Sequence, residues 1–185
     1  MAQRVFVQMS GAPGAGKTTI AHAVAQRLGA VVIDHDVTKS ALLSADVSVA
    51  TAGYASYRVL DAVARHLLQQ GFSVIFDSPC FYVELLQRGQ QLAEEAGVSY
   101  CYVECVLTDL DELDRRLRTR PRLPSQVTGV YASPTAGSGK SQVNAEVFHD
   151  WITNMKRPEN GYLTLDTARP LALCVEEAVA YITTN

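Results

Sequence analysis

Residues 11–18 have the residue types and the spacing of a loop that binds phosphate. The run reads GAPGAGKT and satisfies the pattern G-x-x-x-x-G-K-[ST]. An apolar strand pattern precedes the run and a helical pattern follows it, which is the context expected for such a loop. Its glycines let the backbone turn tightly and direct N–H groups toward an anion. The sequence therefore predicts binding of a nucleoside triphosphate.

The roles of individual residues in this loop follow from phosphate chemistry. We expect Lys17 to contact the β- and γ-phosphates as a catalytic residue, and the Thr18 hydroxyl to bind Mg²⁺. The following helix directs the positive end of its dipole at the same place. ATP is the predicted nucleotide, with GTP as the alternative. The predicted nucleotide-binding residues of this run are Gly11, Ala12, Pro13, Gly14, Ala15, Gly16, Lys17, Thr18 and Thr19.

A partial copy of the motif, GSGKS, occupies residues 137–141. The first glycine of the pattern would fall on Pro134, and no apolar strand leads into the copy. We therefore interpret the copy as part of a mobile lid, in which Lys140 could still reach a phosphate when the lid closes.

Two acids follow the second predicted strand, residues 30–33. Asp34 and Asp36 would lie on the same side of an extended chain, with His35 opposite, because side chains alternate along a strand. Transfer of a phosphoryl group to a hydroxyl needs an aspartate that orients the attacking oxygen and accepts its proton. Asp36 is the predicted catalytic base and a substrate contact; Asp34 is a substrate contact and metal ligand, and the alternative base. The other interpretations are an N-cap role for Asp36 and a packed or solvated turn histidine at position 35.

Three more residues are predicted to contact the substrate. Asp77 ends the third predicted strand, residues 72–76, where an acid can organise Mg²⁺ or substrate. A turn-forming role before the following Ser-Pro is the alternative for Asp77. Lys39 lies three residues after Asp36, and Arg88 lies in the helix that follows Asp77.

Five of the 16 basic residues lie between positions 115 and 122. Acids precede them, which suits the helix dipole and makes a solvated, self-paired helix one interpretation. Arg116 and Arg120 are four residues apart, so they share one helix face next to the irregular segment that follows. We predict both as catalytic residues that hold the γ-phosphate and its transition-state charge, with Arg116 also in contact with the nucleotide.

Apolar strand patterns alternate with helical patterns along the chain. This alternation predicts an α/β fold in which helices cover both faces of one five-stranded parallel sheet. We expect a single domain over residues 1–185, with a lid at about 115–149, largely irregular from 121 to 149, and an acceptor-binding segment at about 37–57. The predicted strands are 5–7, 30–33, 72–76, 100–107 and 162–165, and the predicted helices are 17–28, 54–70, 83–96, 110–119 and 171–182.

Composition narrows the class of protein. The 185 residues carry a net charge of −3 and are 48% hydrophobic, which is typical of one globular domain. Proteins built to bind nucleic acid are usually basic, so that partner is disfavoured, although a local basic groove on an acidic body stays open. No apolar run approaches the roughly 20 residues of a membrane span. With four cysteines but no C-x-x-C pair, and no secretion signal before the first strand, we expect free thiols, a cytoplasmic protein, and a monomer or homodimer.

Together these residues resemble the P-loop kinases of small molecules and nucleotides, which implies a nucleoside-monophosphate-kinase-like fold. The run DHDVTK at residues 34–39 is similar to the D-x-D-x-x-R segment of adenylylsulfate kinases and the D-x-D of shikimate kinases. This resemblance implies that the second acid contacts substrate and often acts as base, and that the first lies near the metal. Lys39 stands where arginine is usual, which removes the bidentate geometry for an anion. Arg116 and Arg120 resemble the lid pair of adenylate-kinase-like enzymes, in which the first covers the adenine and the second meets phosphate.

Two other segments resemble one branch of these kinases. Residues 73–78, with Arg88 eleven residues past the end of the strand, are similar to polynucleotide kinases and chloramphenicol phosphotransferases. Residues 165–170 resemble the loop that borders the adenine in that branch. The resemblance therefore implies a nucleotide contact for Arg169.

Three functions are compatible with the sequence. The first is an ATP- and Mg²⁺-dependent phosphotransferase for a hydroxyl of a small molecule, such as an antibiotic or another metabolite. Residues 40–57 are apolar and poor in basic residues, which favours an acceptor with hydrophobic surface over a polyanion. The second is a nucleotide or polynucleotide 5′-hydroxyl kinase, with Arg58, Arg65 and Arg88 along a short groove. The third, a nucleotide-driven switch, is disfavoured because no N-K-x-D motif occurs and Asp77 is followed by Ser-Pro-Cys.

Overall fold

The computed structural model describes residues 4–131 and 144–185 of the chain. Strands and helices alternate along most of it, as predicted. The strands are β1 (Val5–Ser10), β2 (Val31–Asp34), β3 (Val74–Asp77), β4 (Ser99–Val106) and β5 (Tyr162–Asp166). The helices are α1 (Lys17–Leu28), α2 (His35–Ser44), α3 (Val49–Gln69), α4 (Val83–Ala96), α5 (Leu110–Thr119), α6 (Ala145–Thr153) and α7 (Leu171–Thr184).

All five strands belong to one parallel sheet with the order β2-β3-β1-β4-β5. This order confirms the predicted five-stranded parallel sheet. Because β1 lies between β3 and β4, the loop that follows β1 lies at the middle of the carboxyl edge of the sheet. Open α/β sheets bind ligands at this edge. Asp34 of β2 pairs in register with Asp77 of β3 at that same edge. The sheet therefore brings the phosphate loop and the two strand-terminal acids to one place.

Side chains of β1 alternate between two hydrophobic cores, one on each face of the sheet. Val5 and Val7 join the core under α1 and α7, whereas Phe6 joins the core under α3 and α4. Helices thus cover both faces, which is why the strands are apolar on both sides. The helix residues buried in the first core are Ile20, Ala21, Val24, Ala25, Cys174, Val175, Ala178 and Ile182, and those in the second are Leu60, Ala64, Leu68, Leu92 and Ala93.

A third apolar cluster packs α5 and α6 against the phosphate loop. Two buried valines of the segment that follows α5, residues 120–131, belong to it. This segment contains no helix or strand, and these apolar contacts help to hold it beside the loop. The buried members of the cluster are Ala12, Leu107, Leu113, Leu117, Val127, Val130, Phe148 and Trp151.

Helix α6 begins inside the region predicted to be irregular, residues 121–149, so that prediction was wrong for residues 145–149. Asn144 caps α6 by accepting the N–H of Val147 at 2.9 Å. Apolar residues recur along one face of the helix, but nine residues display a helical period only weakly. The partial copy of the phosphate motif and Lys140 lie in residues 132–143, outside the described residues.

Two further expectations concern boundaries and thiols. α3 begins at residue 49 rather than at 54, because Ser48 caps it by accepting the N–H of Thr51 at 3.3 Å. The segment 37–57 is therefore mostly helical, formed by α2 and the first turns of α3. All four cysteines are free and buried, as predicted. Among the described residues, no helix combines the length and the apolar character needed to cross a bilayer.

Gly11 is the position where an added side chain meets the backbone of another strand. Its φ is +131°, and a Cβ there would collide with the carbonyl oxygen of Cys105. We expect Gly11→Ala to lower the free energy of unfolding by about 2–4 kcal/mol, because both the strained φ and the collision must be relieved. Gly29→Ala is the control: its φ is +65° but a Cβ meets nothing within 4 Å, so about 1 kcal/mol is expected. Urea denaturation measures both; equal losses would contradict the role of the collision.

Candidate active site

The loop after β1 has the geometry that phosphate binding requires. Gly11, Gly14 and Gly16 adopt positive φ angles of 131°, 86° and 90°. Gly16 is the N-cap of α1, where no side chain of the described residues caps the helix and no acid lies in the first turn. The N–H groups at this end are therefore left for a ligand, and the helix dipole favours an anion there.

Lys17 holds its ammonium group against this loop. Its Nζ donates to the backbone oxygens of Gly11 at 2.9 Å and of Ala12 at 3.1 Å. These contacts fold the long side chain back over the N-terminus of α1, so its positive charge adds to that of the helix dipole.

Asp77 is a buried carboxylate, only 3% exposed. Burial raises its pKa to about 6, although the charge of Lys17 and a hydrogen bond from Thr18 lower it. Within residues 4–131 and 144–185, its Oδ2 has no hydrogen-bond partner. Asp77 thus presents a carboxylate oxygen beside the exposed Thr18 at the edge of the phosphate loop.

Asp34 ends β2 and also caps α2. Its Oδ1 accepts the N–H of Asp36 at 2.6 Å and that of Val37 at 3.2 Å. Because the chain becomes helical at His35, strand alternation does not reach Asp36, and the prediction that Asp34 and Asp36 share one side of an extended chain was wrong. The N-cap role considered for Asp36 belongs to Asp34. Burial raises the pKa of Asp34, while its hydrogen bonds from the backbone lower it.

Asp36 lies in the first turn of α2 and faces the cavity described below. Its Oδ2 accepts Nε2 of Gln126 at 3.0 Å, and its Oδ1 accepts the hydroxyl of Ser125 at 3.4 Å. Oδ1 also lies 3.6 Å from Nδ1 of His35. Burial tends to raise the pKa of Asp36, but the contacts with His35 and Gln126 and the charge of Lys17 bring it down to about 2. Asp36 is therefore ionised at neutral pH.

His35 and Lys39 are buried beside Asp36 on the same helix. The ring of His35 stacks on Tyr57 with centroids 4.2 Å apart, and its Nε2 lies 3.0 Å from the hydroxyl oxygen of Ser56. These contacts support the interpretation of a packed histidine. Burial lowers the pKa of Lys39, while the charge of Asp36 raises it.

Arg120 follows α5 and lies within electrostatic reach of all three acids. Its Nη2 donates to the backbone oxygen of Val127 at 3.4 Å, and its buried Nε has no partner among the described residues. Burial lowers its pKa, and the charges of Asp36, Asp34 and Asp77 raise it. One nitrogen of the Arg120 guanidinium is thus hydrogen-bonded to the backbone, while its Nε–H donor has no partner among the described residues.

Arg116 lies on α5 against the loop that follows β5. Its Nη2 donates to the backbone oxygen of Thr167 at 2.9 Å, and its Nε donates to Glu112 at 2.8 Å. A Cβ on Gly16 would lie 3.8 Å from Nη1, so the guanidinium sits beside the N-terminus of α1. Arg169, in the same loop as Thr167, pairs with a glutamate of α7 at 2.7 Å.

Arg88 is paired across the interface between α3 and α4. Its Nε donates to Asp61 and its Nη1 donates to Gln91 at 3.0 Å. Arg65 of α3 pairs in the same way with Glu95. Two of the three arginines considered for a strand-binding groove are thus engaged by acids.

A cavity of about 1820 Å³ joins the predicted site residues. This volume exceeds the roughly 300–1,000 Å³ of a single small-molecule site, so it has room for a nucleotide and an acceptor together. Gly11, Ala12 and Ala15 are buried behind the surface of the loop. The predicted residues that line the cavity are Pro13, Gly14, Gly16, Lys17, Thr18, Thr19, Asp34, Asp36, Lys39, Asp77, Arg88, Arg116, Arg120 and Arg169.

The cavity has two chemically different halves. The half beside the phosphate loop holds the cations and carboxylates described above. The half between α3 and α4 has aromatic walls, in which Tyr54 and Tyr82 expose 69% and 61% of their surface. We call this second part the aromatic half. Its charged residues are two bases and two acids: Arg58, Arg88, Asp61 and Glu84.

The residues at the sheet edge fit a Mg²⁺ ion that arrives with a nucleotide. Over the described stretches of the chain, no three His, Cys, Asp or Glu side chains cluster into a metal cage. Mg²⁺ in nucleotide sites usually relies on one or two protein groups, with phosphates and water completing the shell. The hydroxyl of Thr18, the carboxylate of Asp34 and the unpartnered Oδ2 of Asp77 supply groups of that kind.

Two residues of the site were missed by the sequence analysis. Ser125 and Gln126 contact Asp36 from 89 and 90 residues further along the chain. Neither belongs to a motif, and the segment that carries them was predicted only as an irregular part of the lid. Their proximity to Asp36 follows from packing, not from local sequence.

Comparison with known proteins places this geometry in a family. The family described as AAA domain matches residues 6–130, which include the phosphate loop, all three acids and Arg120. The chain belongs to the AAA domain family. The sequence matches no curated protein closely enough to count as a relative.

Solved structures share the fold of this AAA domain protein at low sequence identity. The APS kinase CysC of Mycobacterium tuberculosis, in complex with AMPPNP and APS, is 22% identical, with a TM-score of 0.68 and coverage of 98% of each chain. A sugar kinase from Janibacter sp. HTCC2649 is 18% identical, with a TM-score of 0.64 over 97% of this chain and 94% of that one. A gluconokinase from Sinorhizobium meliloti 1021 is 17% identical, with a TM-score of 0.61 over 100% and 94%. The AAA domain protein thus has the fold of the P-loop kinases.

Asp77 makes the stability of this AAA domain protein depend on pH. Its pKa of about 6 in the folded state exceeds the ordinary 3.8, so the folded state holds the proton more tightly, and this stabilisation is lost as the pH rises from about 4 to about 6. We expect Asp77→Asn to raise the free energy of unfolding by about 1–3 kcal/mol at pH 7.5, and by about a third as much at pH 4.5. Urea denaturation with EDTA and without nucleotide measures both values. An equal gain at both pH values would contradict this assignment.

Proposed function

We propose that this protein is an ATP- and Mg²⁺-dependent phosphotransferase that moves the γ-phosphate to a hydroxyl of a small molecule. The observation that carries the proposal is the mutual electrostatic reach of three charged side chains on one cavity. The charge of Lys17 lowers the pKa of Asp36, and the charge of Asp36 raises the pKa of Arg120. These residue types are the ones that bind phosphate, orient a hydroxyl and stabilise transition-state charge in phosphoryl transfer.

Each of these side chains has its own task in the proposed reaction. Lys17 and the N–H groups of the loop bind the β- and γ-phosphates, and Arg120 binds the γ-phosphate oxygens as they approach the transition state. Asp36 accepts a hydrogen bond from the acceptor hydroxyl. It takes the proton of that hydroxyl as the new oxygen–phosphorus bond forms and the bond to ADP breaks. Because Asp36 is ionised at neutral pH, it needs no prior deprotonation.

The remaining groups of the charged half bind the nucleotide and its metal. Arg116 and Arg169 line the cavity near the loop after β5, where we propose that they contact the nucleotide. ATP is proposed because the similar APS kinase holds AMPPNP, with GTP as the alternative. A bound Mg²⁺ would supply positive charge to offset the phosphate oxygens. Thr18 and Asp34 are the proposed metal ligands.

The aromatic half favours an uncharged acceptor with apolar or aromatic surface. The charges of its two bases and two acids cancel, and Arg88 is already paired with Asp61. Tyr54 and Tyr82 present rings on which an apolar scaffold can pack. The sequence favoured a hydrophobic acceptor because residues 40–57 are apolar, but residues 41–43 of that run lie outside the lining of the cavity. The support for such an acceptor therefore comes from the tyrosines.

A nucleotide or polynucleotide 5′-hydroxyl kinase is the second proposal. The observation in its favour is the pair of exposed rings near Arg58, because bases stack on tyrosine and a phosphate can bind arginine. The ion pairs of Arg65 and Arg88 weaken it. Transfer of phosphate to a 5′-hydroxyl oligothymidine in preference to neutral alcohols would select it.

We also propose a cytoplasmic location and a monomeric or homodimeric state. The location is supported by four free, buried cysteines, which suit a reducing compartment. Sedimentation at micromolar concentration measures the oligomeric state directly.

Asp36→Asn tests the proposed base. We expect nucleotide affinity to stay within about twofold, whereas the rate of phosphoryl transfer falls by about 10²–10⁴, because an amide cannot accept the proton of the hydroxyl. Lys17→Ala should instead abolish transfer and weaken ATP binding. Release of ADP in a coupled assay gives the rate, and a fluorescent ATP analogue gives the affinity.

Asp150→Asn is the matched control, since Asp150 is exposed on α6 and lies outside the lining of the cavity. It should change neither the rate nor the affinity. Turnover close to the wild-type value in Asp36→Asn would move the base to Asp34 or remove the need for one.

Tyr54→Ala and Tyr82→Ala test the aromatic half. For 2-phenylethanol as acceptor we expect each change to raise KM by about tenfold, or about 1.4 kcal/mol, with little effect on KM for ATP. Phe72→Ala removes another exposed ring, which lies outside the cavity, and should leave both values unchanged. Faster transfer to gluconate than to 2-phenylethanol in the wild-type protein would contradict the proposed acceptor class.

A further inference from the structure

Two side chains of the segment that follows α5, Ser125 and Gln126, contact the predicted base, Asp36. Nε2 of Gln126 donates to Oδ2 of Asp36 at 3.0 Å. The hydroxyl of Ser125 donates to the backbone oxygen of Asp36 at 3.1 Å and lies 3.4 Å from Oδ1. Both carboxylate oxygens thus lie within hydrogen-bond distance of the same two-residue stretch, and the hydrogen bond from Gln126 restricts the rotation of the carboxylate group.

The amide of Gln126 is itself held in one orientation. Its Oε1 accepts the N–H of Leu123 at 3.2 Å. A backbone N–H can only donate, so the oxygen must face Leu123 and the NH₂ group must face Asp36. Gln126 is therefore a fixed donor to Asp36 rather than a side chain that could turn its oxygen toward the carboxylate.

Ser125 is also hydrogen-bonded to Ser40 of α2. Its N–H donates to the hydroxyl oxygen of Ser40 at 3.1 Å, and the Ser40 hydroxyl donates to that of Ser125 at 2.9 Å. Both serines are buried. On the other side, Val127 packs in the third apolar cluster and its carbonyl accepts from Arg120. The stretch 125–127 therefore contacts the proposed base and the proposed transition-state arginine together.

We propose that Gln126, supported by Ser125, is a positioning residue that holds Asp36 in the orientation needed to accept the proton of the acceptor hydroxyl. This inference rests on the proposed function. A carboxylate has about four lone-pair sites, so two donors leave room for the hydroxyl of the acceptor. Loss of orientation in a reacting group is costly, because a well-aligned pair reacts far faster than a freely rotating one.

Hydrolysis of Mg·ATP, with water in place of the acceptor, gives a rate without a known acceptor. We expect Gln126→Met and Gln126→Ala to lower kcat by about 10- to 100-fold while the Kd for ATP stays within twofold. Methionine keeps the length of the side chain but has no donor, so it separates the hydrogen bond from packing. Gln26→Ala, at an exposed position of α1 outside the cavity, is the control and should change nothing.

The decisive measurement combines Gln126→Met with Asp36→Asn. If Gln126 acts through the carboxylate, the second change should cost less than twofold in the Asp36→Asn background, whereas alone it costs 10-fold or more. Equal costs in both backgrounds would make Gln126 a structural residue and overturn the proposal. An unchanged kcat in Gln126→Met alone would overturn it too.

Failure of the proposed function gives a different pattern. In that case the Asp36→Asn variant hydrolyses ATP at the wild-type rate. This result would contradict both the role of Asp36 as base and the positioning role of Gln126. Urea denaturation of every variant accompanies the kinetics. Midpoints within about 0.3 M of the wild type would show that a lower kcat does not come from unfolded protein.

Discussion

Three carboxylates meet at the carboxyl edge of the sheet, and the site is organised around their charge. Asp34 and Asp77 end neighbouring strands, and Asp36 follows in the first turn of α2. Burial keeps the pKa of Asp77 high, and its two acidic neighbours raise it further. Lys17 and Arg120 offset part of this charge from two other elements. This arrangement suits a metal–triphosphate complex, because carboxylates bind the metal and cations bind the phosphates.

The cations reach this edge because of apolar packing elsewhere. The third apolar cluster joins α5, α6 and the segment 120–131 to the phosphate loop through Ala12. Arg116 lies on α5 and Arg120 directly follows that helix, so the packing of α5 in this cluster determines where both guanidinium groups lie. Thr167 adds polar contacts between α5 and the phosphate loop. Its hydroxyl donates to the backbone oxygen of Ala15 at 2.9 Å, and its backbone oxygen accepts from Arg116. Packing and charge are thus coupled: a shift of α5 would move both arginines relative to the loop.

The two halves of the cavity differ in the kind of ligand that they suit. Its charged half presents a few directed groups, which suits a triphosphate. Its aromatic half has no net charge and presents exposed rings, which suits an acceptor with an apolar body. The stretch 125–127 lies where the reaction would take place and touches Asp36 and Arg120. The residues proposed to act on the transferred group and on the attacking group are therefore both contacted by this stretch.

The parallel sheet, the position of the phosphate loop and the acids at the strand ends could be predicted from the sequence, because each is encoded locally. A strand pattern, a glycine spacing or an acid after an apolar run lies within a few neighbouring residues. The stretch 145–153 was left without a helix, since nine residues show too little of the helical period. Strand alternation was applied as far as Asp36, although Asp34 caps α2 and the chain is helical from His35. The ion pair of Arg88 and the contact of Gln126 with Asp36 could not be predicted in this way. Such contacts join residues far apart in the chain, and packing of the whole domain brings them together.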